Sequence, residues 1–437
     1  MKLLKKIKKL LKKQNILLTG GGGVGKSYLT MEIISSLRSD DKQVVVLGST
    51  GVSAVNINGN TIHSFFCFGI SNNLEEMNRN DKHVKNRLIE LNKMLSSADL
   101  LVIDEISMVS SDLMEMILYR LKSGSFEGRL LFVGDFFQLP PIRPRVSTNS
   151  LFENQEFAFE SSAWQYFNPY IVELTHTKRT KDNEFFYMLN RIRVGELDDK
   201  VGYYLEGLRE HTHVIDKNPT ILYGRNREAD IVNLQRLKEL QSEPIVLKAK
   251  ETMHLTSLHV NRVKTWKKNL PVSVELTLKV GASILFCTNK WGSYYNGERG
   301  IVIKLDEKEV VVEKVNKKVV KVQRAEYTLS ENIVLNNKIE EKPLVTIEQF
   351  PLKLAYAITI HKSQGMSIDS LVCNIDNIFE KSQFYVAISR AQNPKNLFLD
   401  YSYSNFFNHL RKCIQISPKV QSFYKNSKIY RIEEDSS

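Results

Sequence analysis

Cysteine is scarce in this chain of 437 residues: there are four, Cys67, Cys287, Cys373 and Cys413, and no two have zinc-ligand or redox spacing. That argues against a thiolate metal centre or a disulfide framework, and for a reduced compartment with inert thiols. No apolar run is long enough to span a bilayer, so no integral membrane segment is expected. Arginine is absent from the first 13 residues and a core strand follows almost at once, which disfavours a transit peptide. What is present, 42% hydrophobic and 25% charged residues, is the composition of a soluble globular protein. Its length suggests about three domains.

Acid is missing where base is densest. The net charge is +12, and Lys2, Lys5, Lys6, Lys8, Lys9, Lys12 and Lys13 supply +7 of it with no carboxylate among them. The rest of the chain carries a modest +5, so a polyanion site must be a local groove. In Met1–Lys13, residues Leu3, Leu4, Ile7, Leu10 and Leu11 share one helical face opposite the lysines. Two readings stand: a helix packed on the first domain, or one lying on a membrane surface or nucleic acid.

The chain is organised around Gly20, Gly21, Gly22, Gly23, Val24, Gly25, Lys26 and Ser27, which fit G-x-x-x-x-G-K-[ST]. An apolar strand, Asn15–Thr19, precedes the run, and a helix beginning at Tyr28 and reaching Leu37 follows. Strand, glycine loop and helix turn backbone N–H groups and a helix dipole toward an anion. Lys26 would reach the β- and γ-phosphates of a nucleotide, and Ser27 would hold Mg²⁺.

Gln43–Gly48 reads as a buried strand ending in Ser-Thr-Gly-Val-Ser-Ala. Ligand loops sit at the carboxyl ends of such parallel strands, so Thr50, Ser53 and, further on, His63 are candidates for a phosphate backbone. The competing reading of His63 is a satisfied core histidine. Phe65 could stack on a base or pack in the core. A polar excursion occupies about 68–97. Strand Asp99–Ile103 then ends in Asp104-Glu105, where Asp104 would anchor Mg²⁺ and Glu105 would orient and polarise the attacking water. Arg129–Val133 leads to Gln138, whose amide suits a sensor of the γ-phosphate. Four strands with intervening helices make one phosphate-loop α/β domain.

The second half contains strands at Thr220–Tyr223, Leu354–Ile360, Leu371–Ile375 and Asn396–Asp400, and a helix at Arg225–Leu240: a second α/β unit without a phosphate loop. Two such units facing each other would place the nucleotide in their cleft, the second supplying arginines in trans. Val272–Gln349 alternates Val, Thr and Lys around glycine turns, with Asn296-Gly297 as a hairpin signal. It reads as a small inserted β-barrel.

An ordered series of segments resembles the Pif (petite integration frequency) branch of superfamily-one DNA helicases, akin to RecD and Dda proteins. The segments are GGGGVGKS, STGVSAVNINGNTIHSF, VIDEISM, FVGDFFQLPPI, FAFESSAW, ELTHTKRTKDNEFFYMLNRIRVGEL, LKLAYAITIHKSQGMSID and QFYVAISRA. The resemblance implies an α/β fold of two RecA-like phosphate-loop NTPase domains in tandem with a small inserted β-barrel. The expected boundaries are 1–172 for the first motor domain, 173–271 with 350–412 for the second, 272–349 for the barrel and 413–437 for a C-terminal tail. Arg179 and Arg390 match the family's two arginine positions, and Tyr385 is carried along as a neighbour of the nucleotide. Thr359, His361, Lys362 and Ser363 match the stretch that links the DNA track to the nucleotide, with Gln364 and Gly365 on the nucleotide side. The implied activity is ATP-dependent 5′→3′ translocation on single-stranded DNA with Mg²⁺, unwinding forked or overhang duplex as a monomer. Its setting would be DNA repair, recombination or telomere maintenance, in a bacterial cytoplasm at the nucleoid or in a eukaryotic nucleus or mitochondrion. The alternative is a nucleotide-gated single-strand-binding ATPase that remodels DNA or RNA without processive unwinding. Two departures stand out. Gln14 lies too close to the first strand to serve as the family's adenine-reading glutamine, and Lys178-Arg179-Thr180 replaces the common Arg-Gln.

Overall fold

Seven parallel strands organise the amino-terminal half. The computed structural model describes residues 2–141, 155–210, 218–254, 260–290, 292–335, 338–402 and 404–432. They form two units: Met1–His176 with Leu329–Leu344 and Pro418–Ser437, and Thr177–Thr328 with Val345–Ser417.

In the first unit the strands are β1 (Ile16–Thr19), β2 (Val44–Gly48), β3 (Asn60–Thr61), β4 (Leu100–Asp104), β5 (Arg129–Val133) and β6 (Tyr170–Leu174), joined by a last strand, Ile429–Ile432. Near-continuous Val, Leu and Ile runs suit strands covered on both faces, and β1, β2 and β4 are buried throughout. The order is Ile429–Ile432, β6, β1, β5, β4, β2, β3, with every pairing parallel. From β1 the chain crosses to β2 on one side, and after β5 it lands at β6 on the other. The carboxyl end of β1 is therefore a topological switch point, where such sheets bind ligands.

The basic amino-terminal helix, α1 (Lys2–Leu11), belongs to this unit. Ile7 and Leu11 are buried, and Lys8 Nζ donates to Ser36 Oγ and to Asp40 Oδ2, both at 2.7 Å. These contacts match the packed-helix reading. The excursion contains helices Leu74–Asp81 and Lys85–Ser97. Arg120 holds it by a two-pronged bond to Asp81 and an Nε bond of 3.0 Å to Phe66 O.

Of the stretch read as a tail, 413–437, the described residues 418–432 group with the first unit and 413–417 with the second. Helix Pro418–Asn426 leads into Ile429–Ile432, which pairs with β6. Tyr424 Oη lies 2.9 Å from Thr19 Oγ1, and its ring stacks on Phe137 at 4.7 Å. This partner was hidden because the two strands lie more than 250 residues apart in sequence.

In the second unit a parallel sheet runs Ala357–Thr359, Thr220–Tyr223, Leu371–Asn374, Leu397–Asp400. Helix Asn226–Glu239 is fixed to it by Asn233, which bonds both the N–H and the C=O of Ala357 at 3.0 and 2.7 Å. Among the described residues the β-rich region forms three small sheets, which take strands from 245–253 and 352–354 as well as from the expected insert 272–349. Five antiparallel strands run in the order Val319–Val322, Val310–Lys314, Arg299–Leu305, Ser283–Phe286, Leu352–Leu354. Among the described residues this order is linear rather than closed. Ile245–Lys248 pairs with Glu275–Leu278, and together they share an apolar core with the five strands through Leu247, Leu276, Ile284 and Phe286. The third sheet comprises Ala325–Leu335, Lys338–Gln349 and Lys250–Met253. Residues Leu329–Leu344 of its hairpin group with the first unit, where Lys338 pairs with Asp41 at 2.8 Å.

Candidate active site

The glycines of the loop after β1 are dictated by geometry. Gly20 sits at φ +139°, and a Cβ there would lie 2.4 Å from Leu174 O. Gly25, at φ +89°, is the N-cap of α2 (Lys26–Ser39) and makes no side-chain cap bond to the helix's first turn, whose N–H groups and dipole suit an anion. Lys26 Nζ folds back onto the loop, donating to Gly20 O at 2.7 Å and Gly21 O at 3.0 Å. An ammonium held by carbonyls at the mouth of an N–H cradle is placed to transfer to phosphate oxygens. Ser27 follows with its side chain exposed. Tyr28 is exposed too, but donates to Glu32 Oε1 at 2.9 Å.

Asp104 ends β4, the strand beside β5, and is buried. Burial and the adjacent Glu105 carboxylate raise its pKa, while the Lys26 ammonium pulls the other way. Glu105 adopts φ +52°, a left-handed conformation that a non-glycine residue keeps only when its surroundings enforce it. Gly134, just after β5, is pressed against the next turn: a Cβ would stand 2.9 Å from Ile106 N. Gln138 is buried on the same rim, its N–H donating to Asp135 O at 2.8 Å. The ends of β1, β4 and β5 thus bring Lys26, Asp104, Glu105 and Gln138 to one edge of the sheet.

The residues fit Mg²⁺ in the manner expected of a nucleotide-bound ion. Among the described residues no cluster of three or more His, Cys, Asp or Glu could hold a metal. Mg²⁺ in such sites needs only one or two protein oxygens beside phosphates and water, however. Ser27 and Asp104 are the residues that would supply them, and a buried carboxylate with a raised pKa is one that a cation would stabilise in its ionised form.

The nucleic-acid candidates of the first unit have local roles. Thr50 and Ser53 form a reciprocal capping box on helix Gly51–Asn56, with bonds of 3.1 and 3.0 Å. Phe65 is buried, edge-on to Phe66 at 5.0 Å. His63 is half-buried beside Phe68, and burial lowers its pKa. None of these placements shows a surface stacking platform.

In the second unit Thr359 is buried and its Oγ1 accepts from Lys362 N at 3.3 Å; Ser363 Oγ donates to Ile360 O at 2.7 Å. His361 meets Glu380 at 3.2 Å, whereas Lys362 is exposed. Gln364 N–H donates to His361 O at 3.3 Å, and Gly365 (φ +77°) stands in open space. A feature missed in the sequence is Lys353: burial, with a smaller push from Lys362, lowers it to about 8.

Arg179 and Arg390 come together. Arg390 is almost fully buried and donates to Val386 O at 2.8 Å and Ser389 Oγ at 2.9 Å. Arg179 donates from Nε to Ser367 Oγ at 2.8 Å and from Nη1 to Ser389 O. Burial and the Arg390 charge push Arg179 down to about 9, partly offset by Tyr385, which is buried nearby. Ser367 and Ser389 lie within quoted motifs, but nothing in a lone serine marks it as an acceptor for arginine.

A parallel sheet with a phosphate loop at its switch point and an Asp-Glu pair on the neighbouring rim defines a phosphate-loop NTPase. A family profile described as PIF1-like helicase matches residues 2–202. A Campylobacter jejuni protein named ATP-dependent DNA helicase Pif1 is 40% identical, covering 98% of each chain. The Homo sapiens protein named ATP-dependent DNA helicase PIF1 is 30% identical over 96% of this chain and 62% of its own. The crystal structure of Bacteroides sp Pif1 in complex with ADP-AlF4 superimposes with a TM-score of 0.82 at 26% identity, covering 97% of this chain and 95% of that one. The chain belongs to the PIF1-like helicase family.

Proposed function

We propose that this chain is an ATP-dependent DNA helicase that translocates 5′→3′ on single-stranded DNA and unwinds forked or overhang duplex. Similarity over nearly the whole length to proteins named ATP-dependent DNA helicase supports the class. A solved Bacteroides Pif1 structure described as bound to ssDNA, and one described as the structural basis for DNA unwinding at forked dsDNA by two coordinating Pif1 helicases, support the substrate. In this reading the motor domains are 1–172 and 173–271 with 350–412, and the protein works as a monomer in DNA repair, recombination or telomere maintenance. Its location would be a bacterial cytoplasm at the nucleoid, or a eukaryotic nucleus or mitochondrion.

The observation that carries the mechanism is the meeting of Arg179 with the buried Arg390 at Ser389. Loss of hydration first, and the charge of Arg390 second, lower Arg179, and an incoming anion would offset both. In the proposed cycle the loop N–H groups and Lys26 bind the triphosphate, and Ser27 and Asp104 would hold Mg²⁺, which neutralises phosphate charge. Glu105 orients and polarises the water. Gln138 touches the γ-phosphate. Arg179 and Arg390 stabilise the charge that develops during transfer. Tyr385 and Gln364-Gly365 border the nucleotide, while Lys362 and its neighbours grip phosphates of the strand without reading sequence.

Lys26→Ala is expected to abolish ATP hydrolysis while sparing single-strand binding; intact turnover would refute the phosphate-loop assignment. A strand-displacement assay with 5′ against 3′ overhangs tests polarity. Failure to displace either, with ATPase intact, would favour the nucleotide-gated remodelling reading. Comparing stimulation by DNA and RNA oligomers sets the nucleic acid.

A further inference from the structure

Four consecutive residues of the second unit, Met366–Asp369, meet both arginines and the β-rich insert. Ser367 Oγ accepts from Arg179 Nε at 2.8 Å. The next residue, Ile368, donates its N–H to Arg390 O at 2.9 Å. On the insert side, Arg299 donates to both oxygens of Asp369, at 2.7 and 2.9 Å, and also bonds Asn218 O. Arg299 is almost fully buried. The insert's turn touches the same segment without any side chain: Gly297, at φ +91°, lies so close that a Cβ would stand 2.7 Å from Ser367 O and 2.9 Å from Ser367 N.

We infer that the turn Gly297–Arg299 of the insert is a positioning element for Arg179, acting through Ser367 and Asp369. The physical case is one of rigidity. Arg179 has a long side chain with many rotamers, and an interaction with a reacting group is effective only when that freedom has been removed beforehand. Its Nε is aimed by a single hydroxyl, Ser367 Oγ. The backbone bearing that hydroxyl is fixed from one side by the parallel bridge of Ile368 to Ala391, and from the other by glycine contact and a forked ion pair. A fork of two parallel bonds fixes orientation as well as distance, which a lysine ammonium cannot do. The insert is thereby mechanically joined to the arginine, and a change in the insert's turn is transmitted to Arg179 over one residue. This inference rests on the reading that Arg179 acts on the nucleotide phosphates.

The test uses the full chain with a single-stranded DNA oligomer, measuring kcat and KM for ATP. Variants are Ser367→Ala and Arg299→Lys, each alone and combined with Arg179→Ala. Arg299→Lys retains charge and bulk but not the fork, and circular dichroism and oligomer binding report whether each variant is folded. The expected result is a fall in kcat of about tenfold or more for each single variant, with a smaller change in KM. Neither should lower the residual rate further once Arg179 is alanine, because the residue being positioned is gone. A fold defect would instead multiply with the Arg179 change. The proposal is overturned if Ser367→Ala and Arg299→Lys turn over at the wild-type rate while Arg179→Ala does not, or if the losses multiply in the combined variants. Undiminished turnover in Arg179→Ala itself would remove the underlying reading, and the positioning role with it.

Discussion

Gly20 is the residue at which the fold of the nucleotide loop is most constrained. Its left-handed φ and the 2.4 Å approach of a hypothetical Cβ to Leu174 O leave no room for a side chain. Gly20→Ala should destabilise the first unit by at least about 1–3 kcal/mol and weaken nucleotide binding, as read by melting temperature and ATP titration. His63 yields a pH prediction. Burial lowers its folded pKa below the unfolded value, so the unfolded chain takes up the proton first as pH falls. Its contribution is constant above about pH 6.5 and is lost progressively below it. Melting midpoints at pH 7.5 and 5.5 should fall more in wild type than in His63→Asn. The loop lysine and the Asp-Glu pair were legible because phosphate chemistry fixes their spacing within a short contiguous run. For Thr50 and Ser53 the structure adds a capping box that the sequence did not reveal, since a hydroxyl that caps a helix and one that meets a phosphate look the same in sequence. Phe65 was equally ambiguous until its burial was known.

At the scale of elements, the informative cases are the two chain ends. The helix α1 was visible as an amphipathic pattern, yet the pattern alone did not say what its apolar face meets. Ile7 and Leu11 face the protein, which leaves Lys5, Lys6, Lys9, Lys12 and Lys13 exposed. The carboxyl-terminal helix and strand carry no motif, and a strand of four residues paired with one far away in sequence gives no local signal. Tyr424 tests how firmly they are held. Tyr424→Phe keeps the stack on Phe137 but leaves the Thr19 hydroxyl without this partner, an expected loss of about 1 kcal/mol. Tyr424→Ala also opens a cavity and should lose about 3 kcal/mol or more in denaturant titration. Equal stabilities for the two variants would mean that the ring contributes nothing. The alternating insert was readable as β structure, but its strand order depends on side-chain partners that alternation does not specify.

For the whole molecule, charge is the property that counts, and its uneven placement separates two views of DNA binding. Were the amino-terminal lysines a nucleic-acid surface, neutralising three of the five exposed ones would flatten the salt dependence of single-strand affinity. With α1 acting as a packed structural helix, Lys5→Gln, Lys9→Gln and Lys12→Gln together should leave the slope unchanged. Lys362→Gln, by contrast, should reduce the log–log slope by about 0.7, the value for one phosphate contact on a single strand. Anisotropy titrations over a series of salt concentrations give both numbers. The α/β architecture was predictable because most strands of each parallel sheet are short apolar runs recognisable on their own. The joining of the arginines to the insert was not, because it depends on a glycine surface and an ion pair that span separate segments.

The strand Ile429–Ile432 is the outermost member of the sheet that carries the phosphate loop. Without it the sheet would end at β6, leaving that strand's outer N–H and C=O groups unpaired. A variant truncated before Pro418 would keep Lys26, Asp104, Glu105 and both arginines, yet present β6 as an association-prone edge.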